Sequence, residues 1–429
     1  MISMNSNYTD DIKQNLTVYI KATIHNSAGS PQTRVITNDN IIDRGFSYTD
    51  STSQEGSLEI GSCIVNQFTM TIHNPTEYNN FVYAGADVTL EIGRKIAGTM
   101  QYVQKGIYYV ISDGYYNDVI TLTCYDKMIL LDKPFDASSY YDSYGYFREC
   151  TLGELFSKLV NQADITTDGI IVLNNENMVI KKDPQLDKMT CRQLLYYICQ
   201  CEGCYARFNR FGKLELKWHK LGVGRTDADI DDTVYVIDSY TEGSPVLVAG
   251  CKISGMQDRD DYKTCADDNY TLIVDGNPLI SKANYLTVAN TIQAKIVNKY
   301  VGPLSCRIAP NELLEAGDKV LVVGKQGTTY ARSACITNLE YTLGEPEYIS
   351  CGAETLEQNK TNRGISQIEL DVNKAKKKTR GISKILRVSD GYGRIEKIKY
   401  FFDDDTTDEV TITYDSDGNL IKIGGTDVE

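Results

Sequence analysis

Histidine, tryptophan and proline are scarce in this chain: three, one and nine among 429 residues. The histidines, His25, His73 and His219, stand far apart in sequence. None has a second histidine at a spacing such as H-E-x-x-H, so zinc peptidase chemistry lacks its ligands. No apolar run approaches the roughly 20 residues needed to span a bilayer. Met1 to Asn15 is polar and contains Asp10 and Asp11, so a secretory signal with a basic start and apolar middle is not expected. Positive charge is short as well. Forty-four Lys and Arg against 58 Asp and Glu leave a net charge of −14, which argues against a nucleic-acid binder whose affinity comes from cations neutralising phosphates. An acidic lumen would instead keep a passing polyanion from sticking. A merely soluble acidic surface explains the same charge.

Twelve cysteines and thirty tyrosines are what the chain has in quantity. The cysteines are scattered through β-runs and apolar helix faces without a disulfide-framework spacing, which predicts free thiols in a protein folded in a reducing cytoplasm. Cys199, Cys201 and Cys204, with Cys191 before them, come nearest to a metal site. Structural zinc needs four converging ligands, whereas Cys191 and Cys199 fall on the inward side of a helix and Cys204 opens a strand, so packed core thiols are expected. Accidental Cys/His pairs and acidic pairs are easy to draw in such a composition, and no catalytic residue, metal ligand or cofactor is assigned. Asp403, Asp404 and Asp405, with Asp408 and Glu409, lack the spaced D-x-D-x-D-G pattern of a calcium loop and read as a solvated hairpin. Lys374, Lys376, Lys377, Lys378 and Arg380 read as the solvated face of a stalk.

The pattern along the chain predicts a β-rich α+β protein: two small β-barrel domains flanking an α+β insert, then a short helical stalk and C-terminal β-hairpins. The first β-barrel domain is expected over residues 1–135, with period-two runs and turn punctuation from Leu16 to about Phe135, as in Phe68-Thr69-Met70-Thr71-Ile72 and Val88-Thr89-Leu90-Glu91-Ile92. Residues 136–245 change texture. A tyrosine-rich loop is followed by two capping boxes, Thr151-Leu152-Gly153-Glu154 and Thr190-Cys191-Arg192-Gln193, each opening a helix. Gly203 ends the second helix, and Cys204 to Trp218 reads as a hairpin turning at Asn209 to Gly212. Strand patterning resumes over 246–352, with a helix from about Lys282 to Asn298. Residues 353–388 are helical in character and 389–429 return to hairpins at Ser389-Asp390-Gly391 and Ser416-Asp417-Gly418.

Two distant stretches share one construction. Gly85-Ala86-Asp87-Val88 and Gly317-Asp318-Lys319-Val320 each put a Gly/Asp turn before a β-run. Both lead on to strands ending at Leu122-Thr123-Cys124 and Ile349-Ser350-Cys351, which suggests one small β-domain carried twice. After the second copy, Ile365, Val372, Thr379 and Leu386 recur every seven residues, interleaved with Ile368, Ala375 and Ile382. That seam asks for partner helices. Two further copies of the chain as partners would make a homotrimer whose six barrel units form a ring.

The stretches Glu55-Gly56-Ser57-Leu58-Glu59-Ile60-Gly61-Ser62-Cys63, Gly106-Ile107-Tyr108-Tyr109-Val110-Ile111-Ser112-Asp113 and Phe208-Asn209-Arg210-Phe211-Gly212-Lys213-Leu214 resemble the baseplate-hub and tail-tip proteins of tailed bacteriophages. That group includes T-even hubs, late-control proteins and the N-terminal part of tail-associated lysins. The likeness covers about Leu16 to Ala353. It implies a non-enzymatic homotrimer at the virion tail tip, assembled in the host bacterial cytoplasm, with two barrels per chain adapting a sixfold tail tube to a threefold tip and lining the ejection channel. Its implied partners are the tail tube or a distal tail protein on one side, and a tape-measure end, spike or receptor-binding assembly on the other. No sequence-specific nucleic-acid contact is implied. Two alternatives stand beside it: a tail-associated peptidoglycan hydrolase, which the short remainder after Cys351 disfavours, and a carbohydrate-binding adhesin acting through the last hairpins.

Overall fold

Alternation of inward and outward side chains builds most of this protein. The computed structural model describes residues 17–26, 31–53, 56–75, 81–116, 118–223, 229–256, 262–264, 270–296, 299–324 and 331–353, strands between 382 and 427, and positions 8, 12, 78 and 80. The chain divides into two compact units, Met1–Asn362 and Arg363–Glu429.

The first unit opens with β1 (Tyr19–His25), β2 (Thr33–Thr37), β3 (Ile41–Ser51), β4 (Gln67–His73), β5 (Asp87–Ile96), β6 (Thr99–Tyr116) and β7 (Val119–Asp126). The insert follows as β8 (Cys150–Thr151), α1 (Leu152–Ala163), β9 (Val179–Ile180), α2 (Cys191–Glu202), β10 (Tyr205–Phe208) and β11 (Leu214–Lys217). Both capping boxes form: Thr151 and Glu154 exchange side-chain and backbone hydrogen bonds, as do Thr190 and Gln193. Each such box satisfies two of the orphan donors at a helix start. Gly203 closes α2 at φ 67°, and Asn209 to Gly212 turns β10 back into antiparallel β11.

The remainder of this unit comprises β12 (Asp232–Glu242), β13 (Val246–Gly255), β14 (Tyr262–Lys263), β15 (Tyr270–Asn277), α3 (Tyr285–Ile296), β16 (Tyr300–Val301), β17 (Leu304–Ile308), β18 (Lys319–Val323), β19 (Ala331–Cys335), β20 (Asn338–Thr342) and β21 (Glu347–Cys351). Strand β12 pairs with β17 and β18, so the second array begins at Asp232, ahead of the boundary expected at 246. Strands β13 to β16 form a sheet of their own. Three helices among the described residues, against these sheets, make the protein β-rich α+β, and none of its described helices is long and apolar enough to cross a membrane.

One thirteen-stranded path runs β19-β18-β12-β17-β21-β20-β3-β4-β7-β6-β5-β1-β2. Its hydrogen bonding does not close, so the expected barrels are not present as closed sheets. The duplication is nevertheless written in the register. Gly85 N donates to Val110 O, and Val110 N to Ala86 O; Gly317 N donates to Ile336 O, and Ile336 N to Asp318 O. Both glycines have positive φ, 73° and 95°. With Gly85 set on Gly317, Asp113 falls on Leu339, and their partners Leu122 and Ile349 coincide. Met70, opposite Leu122, then falls on Cys306, opposite Ile349. Phe46, opposite Met70, falls on Tyr240, opposite Cys306. Even the irregularities agree, with register breaks between Ile41 and Phe46 and between Val236 and Tyr240. Strands β3, β4, β7, β6 and β5 thus correspond to β12, β17, β21, β19–β20 and β18.

The arrays differ at one edge. The start of β12 pairs directly and in parallel with β18, whereas the hairpin strand β1 lies between β2 and β5 in the first array. The two arrays meet where β20 pairs antiparallel with β3, Asn338 opposite Ser51 through Thr342 opposite Ser47. A single apolar core spans both arrays and the insert.

The matched glycines sit in different surroundings. A Cβ on Gly85 meets no heavy atom within 4 Å, while one on Gly317 collides with the Tyr205 hydroxyl. Gly85→Ala is therefore expected to cost about 1–2 kcal/mol from the left-handed backbone alone, and Gly317→Ala clearly more, read as the difference in urea midpoints at constant slope.

In the second unit, β22 (Ile382–Ser389), β23 (Ile395–Phe402), β24 (Thr407–Tyr414), β25 (Leu420–Ile423) and β26 (Thr426–Asp427) form an antiparallel meander. Its first strand corrects part of the expected stalk. Ile382 and Leu386 lie on a strand, opposite Phe402 and Lys399, so helix does not extend to residue 388. The β-branched Ile382, Ile385 and Val388 suit a strand, and the Ser389-Asp390-Gly391 stretch separates it from β23. Ile365, Ile368, Val372, Ala375 and Thr379 lie outside the described residues, as do Lys374 to Arg380 and the Asp403 to Asp405 run.

Candidate functional site: a buried ionic junction

A cluster of buried ion pairs joins three parts of the first unit. The irregular segment from Pro310 to Asp318, between β17 and β18, is almost wholly buried, with Asn311, Glu312, Leu313, Leu314, Ala316 and Asp318 each under a tenth exposed. Connecting segments normally stay at the surface because buried backbone needs partners. Here the partners are charged side chains from elsewhere. Lys105 Nζ on β6 donates to Leu314 O (2.7 Å) and Glu312 O (3.3 Å). Arg94 on β5 bonds Pro310 O, and Arg207 on β10 bonds Ala316 O. Asp50 on β3 accepts from Ala316 N at 2.9 Å, and Glu347 on β21 accepts from Asn311 N at 2.7 Å.

Side-chain ion pairs complete the lock. Arg94 Nε lies 2.8 and 3.1 Å from the two carboxylate oxygens of Glu312, both side chains fully buried, and the Tyr8 hydroxyl also donates to Glu312. Arg207 faces Asp50 (3.3 Å), Glu215 (3.5 Å) and Glu315 (3.5 Å), and Arg210 faces Glu315 (3.3 Å). The hairpin turn is tied to β6 by a reciprocal pair: Gln104 Nε2 donates to Arg210 O and Arg210 Nη1 to Gln104 O.

The electrostatics follow from burial and these neighbours. Burial opposes charge on Glu315, but Arg207, Arg210, Lys105 and Lys217 outweigh it and pull its carboxyl down to about 2. Burial pushes Glu347 up to about 7, against the pull of Lys105. Asp126 is likewise raised to about 7, mainly by burial. Burial also lowers the Lys105 ammonium, with Arg210 adding to the effect. Glu347 occupies the place that Ile120 holds in the first array, since Ile120 pairs with Ile72 and Glu347 with the matching Ile308. The carboxylate is thus a substitution into an apolar slot, retained where it receives Asn311 N.

A pH dependence follows. Ordinary carboxyls titrate near 4, so between about 4 and 7 the folded protein keeps protons on Asp126 and Glu347 that the unfolded chain releases. Their contribution is fully present below about 4 and lost as pH rises to about 7. Glu315 works in the opposite sense: its contribution is present above about 4.5 and lost as pH falls toward 2. His219, lowered to about 4 by burial, opposes this trend between about pH 4 and 6.5, but with two raised carboxyls against it, urea midpoints are expected to decline from about pH 5 toward neutrality, and to stop declining in Asp126→Asn/Glu347→Gln.

The residues singled out for chemistry do not gather. Cys191, Cys199, Cys201 and Cys204 are buried free thiols, and burial raises all of the first three, the reverse of what activates a nucleophile. Cys199 neighbours Cys204 and Cys63, yet among the described residues no group of His, Cys, Asp or Glu has the geometry to hold a metal ion. His219 is buried against Glu59 O at 2.9 Å and lowered by burial to about 4, hence neutral at pH 7. Arg94, Lys105, Arg207, Arg210, Glu312 and Glu315 were not singled out in the sequence. Parity was the available signal, since Asp50 continues the inward positions of Phe46 and Tyr48, and Arg94 those of Leu90 and Ile92.

No protein-family model matches the chain, and no curated protein matches it. Solved structures do. A 43 kDa tail protein of prophage MuSo2 from Shewanella oneidensis is similar at 13% identity and a TM-score of 0.44, over 77% of this chain and 97% of that one. A chain of the p2 virion baseplate in its activated conformation is similar at 9% identity and a TM-score of 0.24, over 77% and 98%. Neither superposition is close enough to transfer a fold or a role.

Proposed function

We propose that this chain is a non-enzymatic, ring-forming structural protein at the distal end of a phage tail or tail-like particle, working as a homotrimer. The observation that carries this reading is the pair of register-matched arrays fused edge to edge through β20 and β3. Three copies of such a chain supply six similar units, the number needed to match a sixfold tube while presenting threefold symmetry to a tip. Small barrels are the form we assign to the units: β19 runs through Ile336 and Thr337 straight into β20, and β2 runs through Asn38 to Asn40 into β3. In each array the two ends of the strand path are thereby joined by chain.

The ionic junction suits this role. It ties both arrays and the insert hairpin to one buried segment, so that force on one part is passed to the others through side chains. A net charge of −14 suits a channel that must not retain DNA. The last tube ring or a distal tail protein would bind one face, and a tape-measure end, spike or receptor-binding assembly the other, across large and fairly polar interfaces. Light scattering on the purified chain tests the reading: a mass of three times 48.0 kDa supports it, and a single-chain mass at high concentration contradicts it.

A further inference from the structure

The internal match bears on the contact between copies, and this inference rests on the ring reading. Within the chain, β20 is flanked by β21 and by β3 of the other array. The residues of β6 that match β20 are Ser112 to Tyr116. They pair with β7 on one side, and β5 reaches only Tyr109 on the other. Among the described residues their outer edge has no strand partner. The residues that match Ser47–Asp50 of β3 are Thr241, Glu242, Gly243 and Ser244. Thr241 and Glu242 pair with β17, while β18 covers only Asp232 to Tyr235, so this outer edge also lacks a strand among the described residues. Tyr115 and Tyr116 are 60% and 79% exposed, and Thr241, Glu242 and Ser244 are exposed.

We propose that these two edges pair with each other between copies, Ser112–Tyr116 of one chain lying antiparallel to Thr241–Ser244 of the next. The register is inherited from Leu339 opposite Asp50 and Thr342 opposite Ser47: Asp113 faces Ser244, Gly114 faces Gly243, Tyr115 faces Glu242 and Tyr116 faces Thr241. Six junctions then alternate around the ring, three within chains and three between them. Both edges carry acids, and this register sets each acid opposite a neutral residue. Tyr115, whose hydroxyl donates to Asp113 within the chain at 3.2 Å, lies opposite Glu242, which accepts from Tyr240, so a neutral side chain rather than a like charge faces that carboxylate. A slip of two residues would place Asp113 against Glu242, like charges that disfavour it. Pro245 lacks an N–H and ends the ladder.

The test uses disulfides, since the eleven described native cysteines are buried. In a Cys265→Ser background, full-length Tyr116→Cys is mixed with full-length Thr241→Cys under oxidising conditions. Directly opposed antiparallel residues lie within disulfide reach. The expected result is a cross-linked heterodimer on a non-reducing gel, at least tenfold more abundant than with Tyr116→Cys mixed with Ser239→Cys. Light scattering on the same mixtures separates the two claims. A three-chain mass without the Tyr116–Thr241 link, or with the Ser239 link favoured, overturns the edge pairing and leaves the ring. A single-chain mass overturns both.

Discussion

Replacing Arg94 with methionine is expected to destabilise the first unit by about 3–5 kcal/mol, the usual effect of removing one partner of a buried ion pair. Arg94 and Glu312 are both fully buried, and the guanidinium reaches both carboxylate oxygens and Pro310 O. Without it, the Glu312 carboxyl is left in the core with Tyr8 as its remaining side-chain hydrogen-bond donor among the described residues, and the buried connector loses a carbonyl partner. Most of the cost is the buried carboxyl left without its partner rather than the lost attraction. Arg94→Met/Glu312→Leu should therefore recover much of the loss, because no charge is left unpaired. Urea unfolding of the two single variants and the double variant measures this cycle. A double variant as unstable as Arg94→Met would show that the connector's backbone bond dominates.

Arg207→Met is expected to cost a similar amount, about 3–5 kcal/mol, and to change the response to acid as well. Arg207 meets Asp50, Glu215 and Glu315 and the carbonyl of Ala316. It is also the strongest of the cations that hold Glu315 at about 2 against its burial. Removing Arg207 raises that carboxyl toward its ordinary value. The stability that Glu315 contributes above about pH 4.5, and gives up toward pH 2, then shrinks. Comparing urea midpoints at pH 5 and pH 3 should show a smaller acid loss for Arg207→Met than for the parent. Arg207→Lys keeps a charge but not the planar fork that serves three carboxylates and a carbonyl, so an intermediate midpoint is expected. An unchanged acid response in Arg207→Met would mean that Arg210 and Lys105 suffice.

Much of the first unit was legible because local chemistry dictates it. Thr151 and Thr190 with their partners three residues on leave little choice but a helix start, and Asn209 to Gly212 little choice but a turn. The repeat could be seen at Gly85 and Gly317 because both turns demand positive φ, which glycine adopts freely. The junction was not legible. Parity marks Arg94 and Asp50 as inward, but Glu312 and Ala316 lie more than 200 residues away in sequence, and nothing local names them. The heptad reading failed at its end for a different reason. Ile382, Ile385 and Leu386 sit at helical spacing, and a short apolar run suits a helix or a strand equally until its pairing partner is known. That partner is β23. The hairpin β1–β2, which makes the first array wider than the second, also has no counterpart that the repeat could have revealed.

End-on electron micrographs of the purified, assembled protein test the central claim most directly, since they count the units around the axis. Six lobes of similar size around an open centre are predicted, alternating slightly because one array carries the additional strand β1. Three unequal lobes without a ring, or particles holding a single chain, would contradict it.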